Sequence, residues 1–191
     1  MKNVVLAGIL GGIVVFLWGF VSHAVLPLGT AGIQSLPNED AVIGTLRVAI
    51  REPGLYFFPG MPMSPGLNKD QKAAMEKMWN ERYRRGPSGF LVYTPGGREP
   101  MSMVRMGSEL LSNVLGAMIA AILLSMAGSI SFGSRVLFVT LLGLFASLAI
   151  DVSYWIWYAF PATYTAAALV DQTLGWFFGG LVLARVVKKA A

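Results

Sequence analysis

Residues 136–187 read VLFVTLLGLFASLAIDVSYWIWYAFPATYTAAALVDQTLGWFFGGLVLARVV, and this almost unbroken apolar stretch decides the fold. A membrane-spanning helix needs about 20 mostly apolar residues, so the stretch is too long for one span and long enough for two. Pro161 stands near its middle, and a proline does not continue an intact helical hydrogen-bond ladder. We therefore predict two membrane helices, at residues 135–160 and 162–187, joined by a turn at Pro161.

Two further apolar runs, at residues 4–27 and 109–131, predict two more membrane helices. A cleaved signal peptide is the alternative for the first run. Ser22-His23-Ala24 fits a small-x-small cleavage site, and Lys2 supplies a positive start. The apolar stretch is longer than a usual signal core, which favours a retained helix. The predicted fold is an all-α bundle of four transmembrane helices.

The composition agrees with a membrane protein. Of 191 residues, 55% are hydrophobic and 13% are charged, and the mean hydropathy is +0.61. An ordinary soluble domain is about 25% charged. This deficit argues against a soluble or disordered protein, and against nucleic acid as a partner despite a pI near 9.7.

The residue inventory also limits the chemistry. Cysteine is absent and His23 is the single histidine, which excludes disulfides, thiolate metal sites and any site with two histidines of this chain. No phosphate-binding loop, dinucleotide fingerprint or metalloprotease helix occurs. We assign no catalytic residue and no metal site, and we expect the protein not to be an enzyme.

Basic residues near the ends of the four runs predict the orientation. The positive-inside rule places such residues in the cytoplasm. Both termini are then cytoplasmic, and residues 28–108 lie outside the cell membrane, in the periplasm if that membrane is a bacterial inner membrane. The basic residues on the cytoplasmic side are Lys2, Arg135, Arg185, Lys188 and Lys189.

The segment 28–108 is predicted to form a small extracytoplasmic α+β domain, or cap, between the first two spans. One predicted helix is capped by Asn38 and ends at Ile50, and a second starts at Asn68 or Asp70 and ends at Arg85. Predicted strands lie at 55–58, 90–93 and 101–106. In the second helix we expect Met78, and at least one of Trp79 and Tyr83, to be buried. A domain of this size is marginally stable alone, so we expect it to pack against the membrane or a partner.

Small residues recur four positions apart in three of the predicted spans. This spacing lets helix backbones approach closely in lipid, either within one chain or between subunits. The pairs are Gly8 with Gly12, Gly116 with Ala120, and Gly175 with Gly179.

Asp151 and Asp171 are the most informative residues, because carboxylates within apolar helices are costly and usually functional. They stand ten residues on either side of Pro161, so an antiparallel hairpin would place both about 15 Å from the turn. Together with other polar residues they predict a cluster near the outer helix ends. Three interpretations remain open, namely interhelical hydrogen bonding, a proton, ion or ligand site, and contacts to a partner subunit. The other members are Gln172, Asn113, Tyr154, His23 and Glu109.

His23 also supports a haem hypothesis, although one histidine supplies only one axial ligand and a methionine or another chain would have to supply the second. The favoured function is a non-enzymatic accessory or scaffold subunit of a larger membrane complex, with lipid and other membrane subunits as partners. One alternative is a small proton, ion or solute transport component that uses Asp151 and Asp171. Another is a haem-binding or enzymatic membrane subunit that uses His23.

Overall fold

A computed structural model describes residues 2–61 and 65–187 of the chain. The chain divides into two compact units. One combines the residues up to Ile33 with those from Pro100 onward, and the other is Gln34–Glu99. Lys188 and Lys189, which contribute to the predicted orientation, lie outside the described residues.

The structure is mostly helical and includes one small sheet. A π-helical turn at Val21–Val25 and a 3-10 turn at Pro27–Thr30 follow the first helix. In chain order the elements are α1 (Lys2–Phe20), α2 (Glu39–Ala49), β1 (Gly54–Phe58), α3 (Lys69–Arg85), β2 (Gly89–Tyr93), α4 (Met103–Met126), α5 (Phe132–Tyr158) and α6 (Ala162–Val186). Within the described ranges, four helices are long and apolar enough to cross a membrane, namely α1 with its π turn, α4, α5 and α6.

The start of α4 differs from the prediction. Residues 101–106 were expected to form a third strand, but α4 already begins at Met103, and the sheet of the described chain contains β1 and β2 alone. Ser102 has an extended backbone and precedes the helix as its N-cap. No proline follows before the apolar run, so the helix extends about two turns beyond that run.

The first unit is a bundle in which α1 packs along α4 and α6, and α6 packs along α5. Its core consists of small and aliphatic side chains near the end that contains Lys2 and Arg135. Arg135 is buried there and donates a hydrogen bond to the carbonyl of Val187, which follows α6. A cation at a helix C-terminus is favoured by the helix dipole. The core residues are Ala7, Ala117, Ala120, Ala121, Leu124, Val139, Leu183 and Val187.

The second unit packs α3 against an antiparallel pair of strands in which Phe57 is paired with Phe90. The rings of Trp79 and Tyr83 stack with centroids 5.2 Å apart, and Tyr83 lies 6.1 Å from Phe57. Met78, expected to be buried, is 59% exposed, and Trp79 and Tyr83, at least one of which was expected to be buried, are both partly buried. Trp79 and Tyr83 are four residues apart and share a helix face, whereas Met78 points away from it.

The helix starts of the second unit also differ from each other. At α3, Asn68 and Gln71 form the reciprocal pair of hydrogen bonds known as a capping box. At α2, Asn38 adopts a left-handed conformation with φ 51° and makes no side-chain cap, although it was expected to cap that helix. Asparagine tolerates this conformation better than most residues.

Candidate functional site

A cavity of about 610 Å³ lies between the helices of the first unit, at the end of the bundle opposite the core. We call it the carboxylate cavity. Its wall includes residues of α1, α4, α5 and α6, together with residues from the turns that follow α1. Spaces between bundle helices are common ligand sites. The polar side chains that line it are His23, Glu109, Asn113, Asp151, Tyr164, Asp171 and Gln172.

Asp171 forms the best-defined contact of the cavity. Trp18 donates its indole N–H to Asp171 Oδ1 at 2.7 Å and also contacts the Asp171 carbonyl oxygen at 3.1 Å. The Asp171 side chain is 14% exposed. Gly175 makes this contact possible, because a Cβ there would lie 3.0 Å from Trp18 Cδ1. The hydrogen bond thus satisfies a mostly buried carboxylate and links α1 to α6.

His23 lies in the π-helical turn, and its side chain is 59% exposed. Its Nδ1 is 2.8 Å from Ser22 Oγ and 3.1 Å from the Gly19 carbonyl oxygen. The same nitrogen is 3.9 Å from Asp171 Oδ2. Gly29 packs under the ring, where a Cβ would approach His23 Cδ2 to 2.5 Å. The imidazole is therefore held beside the carboxylate of Asp171 at the exposed part of the cavity.

The other acidic residues have separate partners. Ser147 donates to Asp151 Oδ2 at 2.7 Å, one helical turn away on α5. Asn113 donates to Glu109 Oε1 at 3.2 Å on α4. The two aspartates line one cavity without a direct hydrogen bond to each other among the described residues. Each of them therefore keeps a carboxylate oxygen that is not used by its hydrogen-bond donor.

Tyr154, the remaining predicted member of the cluster, lies outside the cavity lining. Its ring contacts Phe160 and Tyr158, with centroids 5.3 and 5.7 Å away. Tyr154 is nearly one turn closer to the end of α5 than Asp151, so its long side chain reaches the aromatic residues around the Pro161 turn instead.

Two hydrogen-bond donors in the site were not predicted from the sequence. The sequence around Trp18 does not indicate which group its indole N–H contacts. A buried indole N–H usually has a hydrogen-bond acceptor, and the apolar residues next to Trp18 provide no side-chain acceptor. Ser147 stands four residues before Asp151, and this spacing on a helix favours a hydrogen bond between the two side chains. The second donor was therefore predictable, whereas the first required knowledge of which helices are neighbours.

Trp176 lies one turn further along α6 than Gln172, and it is not among the residues that line the carboxylate cavity. It occupies the space between α5 and α4, because a Cβ on Gly143 would lie 2.5 Å from its Cδ1 and a Cβ on Gly116 would lie 2.9 Å from its ring. The same side chain packs against the apolar core. Trp176 therefore fills the space where α4, α5 and α6 meet beside the core.

The predicted small-residue pairs lie against other helices of the same chain. A Cβ on Gly12, for example, would lie 2.4 Å from the Cα of Val114 in α4. The remaining contacts join Gly8 to Met118, Gly116 to Trp176, Gly175 to Trp18 and Gly179 to Val15, while Ala120 is buried in the core.

The charge of the cavity wall is one-sided. Three carboxylates line it, and the lining contains no lysine or arginine among the described residues. No group of three or more histidine, cysteine, aspartate or glutamate side chains in the described part of the chain could hold a metal ion. The cavity thus favours positively charged or hydrogen-bond-donating occupants without offering a metal-binding cage.

Comparisons with known proteins gave no match to this chain: no family model, no curated protein and no solved structure is similar to it. The function is therefore argued from the geometry of the carboxylate cavity.

Proposed function

We propose that this chain is a multi-pass membrane protein that binds a small cation in the carboxylate cavity and takes part in moving it across the membrane. The observation that supports this most strongly is the cavity itself. It brings the partly buried Asp151 and Asp171 and the exposed Glu109 to one space between apolar helices. Acidic groups inside a membrane bundle generally mark ion or substrate pathways.

The exposed surface of the bundle supports placement in a membrane. Large apolar side chains face outward along the helices, such as Leu17 at 54%, Ile119 at 60% and Phe145 at 70% exposure. Such a continuous apolar surface is rare on soluble monomers. Trp155 and Trp157 are also exposed near the end of α5, which is typical of the aromatic belt at a membrane surface.

For the orientation we retain both termini in the cytoplasm and residues 28–108 outside, so that the cavity belongs to the outer half of the bundle. The chain has no cysteine, which allows a direct test. A cysteine introduced at Asn68 should react with an impermeant thiol reagent added outside the membrane. Labelling of a cysteine added at the C-terminus instead would reverse the orientation.

Transport is tested by uptake into liposomes that contain the purified full chain. The probes are rubidium, methylammonium and hexylammonium, driven by a negative internal potential, and uptake of any one of them above that of protein-free liposomes supports the proposal. We expect the double variant Asp151→Asn, Asp171→Asn to lose the uptake, whereas Asp40→Asn, a matched change on exposed α2, should retain it. Uptake that is equal in protein-free liposomes, or unchanged in the double variant, would contradict the proposal.

The other hypotheses stay predictions. The accessory-subunit role was based partly on small-residue faces, and those faces lie against the chain's own helices, so a partner would need another surface. Mass spectrometry of proteins that co-purify in mild detergent tests that role. Haem binding at His23 is tested by the absorbance of the purified protein after incubation with haem.

A further inference from the structure

The size of the carboxylate cavity restricts the kind of cation that fits it. At about 610 Å³ it falls in the range of sites for organic molecules, about 300 to 1,000 Å³. An inorganic cation binds instead within a close cage of oxygen ligands. Asp151 and Asp171 each have their own hydrogen-bond donor, and the lining places them on different helices.

The lining is also amphipathic. The carboxylates belong to α4, α5 and α6, whereas α1 and the adjoining turns supply mainly aromatic and aliphatic side chains. A hydrated inorganic ion gains nothing from such a wall, but an organic group buries apolar surface against it. The apolar lining residues include Val15, Phe16, Phe20, Leu28, Ile33 and Met106.

We propose that the occupant is an organic ammonium ion that has an apolar substituent. This inference deepens the proposed function and rests on it. The ammonium group has several N–H donors, and Asp171 Oδ2 and the Asp151 oxygen not bound by Ser147 can accept them. The nearby ring of Trp18 adds a cation–π surface. The apolar substituent lies against the aliphatic and aromatic wall.

The test is equilibrium binding to the purified full chain in maltoside micelles, which contain no ammonium group. Hexylammonium is the probe, and its neutral and anionic counterparts are hexanol and hexanoate. Binding is measured by tryptophan emission and by the rise of the unfolding temperature that a ligand of the folded state produces. We expect saturable binding of hexylammonium, and binding at least about tenfold weaker for hexanol and hexanoate.

Single variants locate the site. Asp171→Asn and Asp151→Asn should each weaken hexylammonium binding by about tenfold or more, whereas Asp40→Asn should leave it unchanged. Asparagine keeps an acceptor oxygen, so the folded protein is expected to persist, and a circular dichroism melt of each variant checks this. Equal binding of hexanol and hexylammonium would overturn the inference, since the site would then select only apolar groups.

The inference and the proposed function fail in different ways. If rubidium binds in an Asp171-dependent manner and hexylammonium does not bind, the organic-ligand inference is wrong and the proposal of cation transport is retained. If hexylammonium binds but the protein does not increase the uptake of any probe into liposomes, the transport proposal is wrong and the inferred ligand class is retained. Addition of phosphatidylethanolamine to the micelles identifies the source of the ammonium group. Competition with hexylammonium indicates a lipid headgroup, and unchanged binding indicates a soluble amine.

Discussion

The two ends of the bundle use the same helices in opposite ways. In the half that contains Lys2 and Arg135, alanines and glycines let the helices meet closely, as at Gly8 against Met118. At the other end, α1 contains Trp18 and His23, and the helices enclose a cavity. Small residues permit close packing in lipid, whereas at the other end the side chains of Trp18 and Asp171 join α1 to α6 beside the cavity. One end is therefore filled by packed side chains, and the other contains the cavity for which we propose binding.

Loss of the large side chain that fills the space between α4 and α5 should have the largest effect. Trp176→Ala would leave a hole between Gly116 and Gly143, at an expected cost of about 3 kcal/mol in the free energy of unfolding. Trp157→Ala, at a position that is 71% exposed, is the matched control and should cost far less. Thermal unfolding in detergent measures both, and equal losses would show that Trp176 does not fill the bundle.

The close packing of α1 against α4 is tested most directly at Gly12, near the middle of α1. Gly12→Ala places a Cβ 2.4 Å from the Val114 Cα, so α1 and α4 must separate, at an expected cost of about 1–3 kcal/mol. The control is Gly133→Ala in α5, where a Cβ meets nothing within 4 Å. Since alanine has the better helix propensity, the control should be neutral or stabilising by up to about 1 kcal/mol. A neutral Gly12→Ala would refute close packing there.

At the cavity end, Asp171 provides a smaller effect. Asp171→Leu removes the acceptor of the Trp18 N–H, which retains only its 3.1 Å contact with the carbonyl. We expect a loss of about 1–2 kcal/mol in unfolding free energy. Asp171→Asn should lose less, because its amide oxygen still accepts the bond. If chemical denaturation gave the two variants the same stability, the hydrogen bond would contribute nothing.

The smallest expected effect is at Ser147. Ser147→Ala removes the donor to Asp151 Oδ2 and should lower the unfolding free energy by about 0.5–1.5 kcal/mol. Ser108→Ala is the control, because its hydroxyl bonds only to an exposed backbone carbonyl. Denaturant titrations measure the free energy of unfolding of both variants. A Ser147→Ala protein no less stable than the Ser108→Ala protein would contradict the contact.

The sequence predicted the helices well because apolar length and the break at Pro161 depend only on local chemistry. The same symmetry about Pro161 indicated that Asp151 and Asp171 belong together, and both line one cavity. The contact between Trp18 and Asp171 was not predictable, since it joins residues 153 positions apart and depends on α1 packing beside α6.

Errors of the sequence prediction occur where local patterns were ambiguous. Most of the strand predicted at residues 101–106 is the start of α4, which begins at Met103. A six-residue segment with mixed apolar and polar side chains is too short for its pattern to distinguish a strand from a helix. Met78 was placed on the buried face of α3, whereas the aromatic pair Trp79 and Tyr83 defines that face. Both errors have the same cause, because the packing of a helix or strand against the rest of the fold is set by tertiary contacts that the local sequence does not show.

The most direct test of the account compares two positions four residues apart on α4. Asn113 lines the carboxylate cavity, whereas Ala117 lies in the core with 0% exposure. The chain has no cysteine, so Asn113→Cys and Ala117→Cys each provide a single thiol for an impermeant reagent added outside. We expect rapid labelling at position 113 and none at position 117. Equal labelling at both positions, or none at 113, would contradict a water-accessible cavity above a closed core.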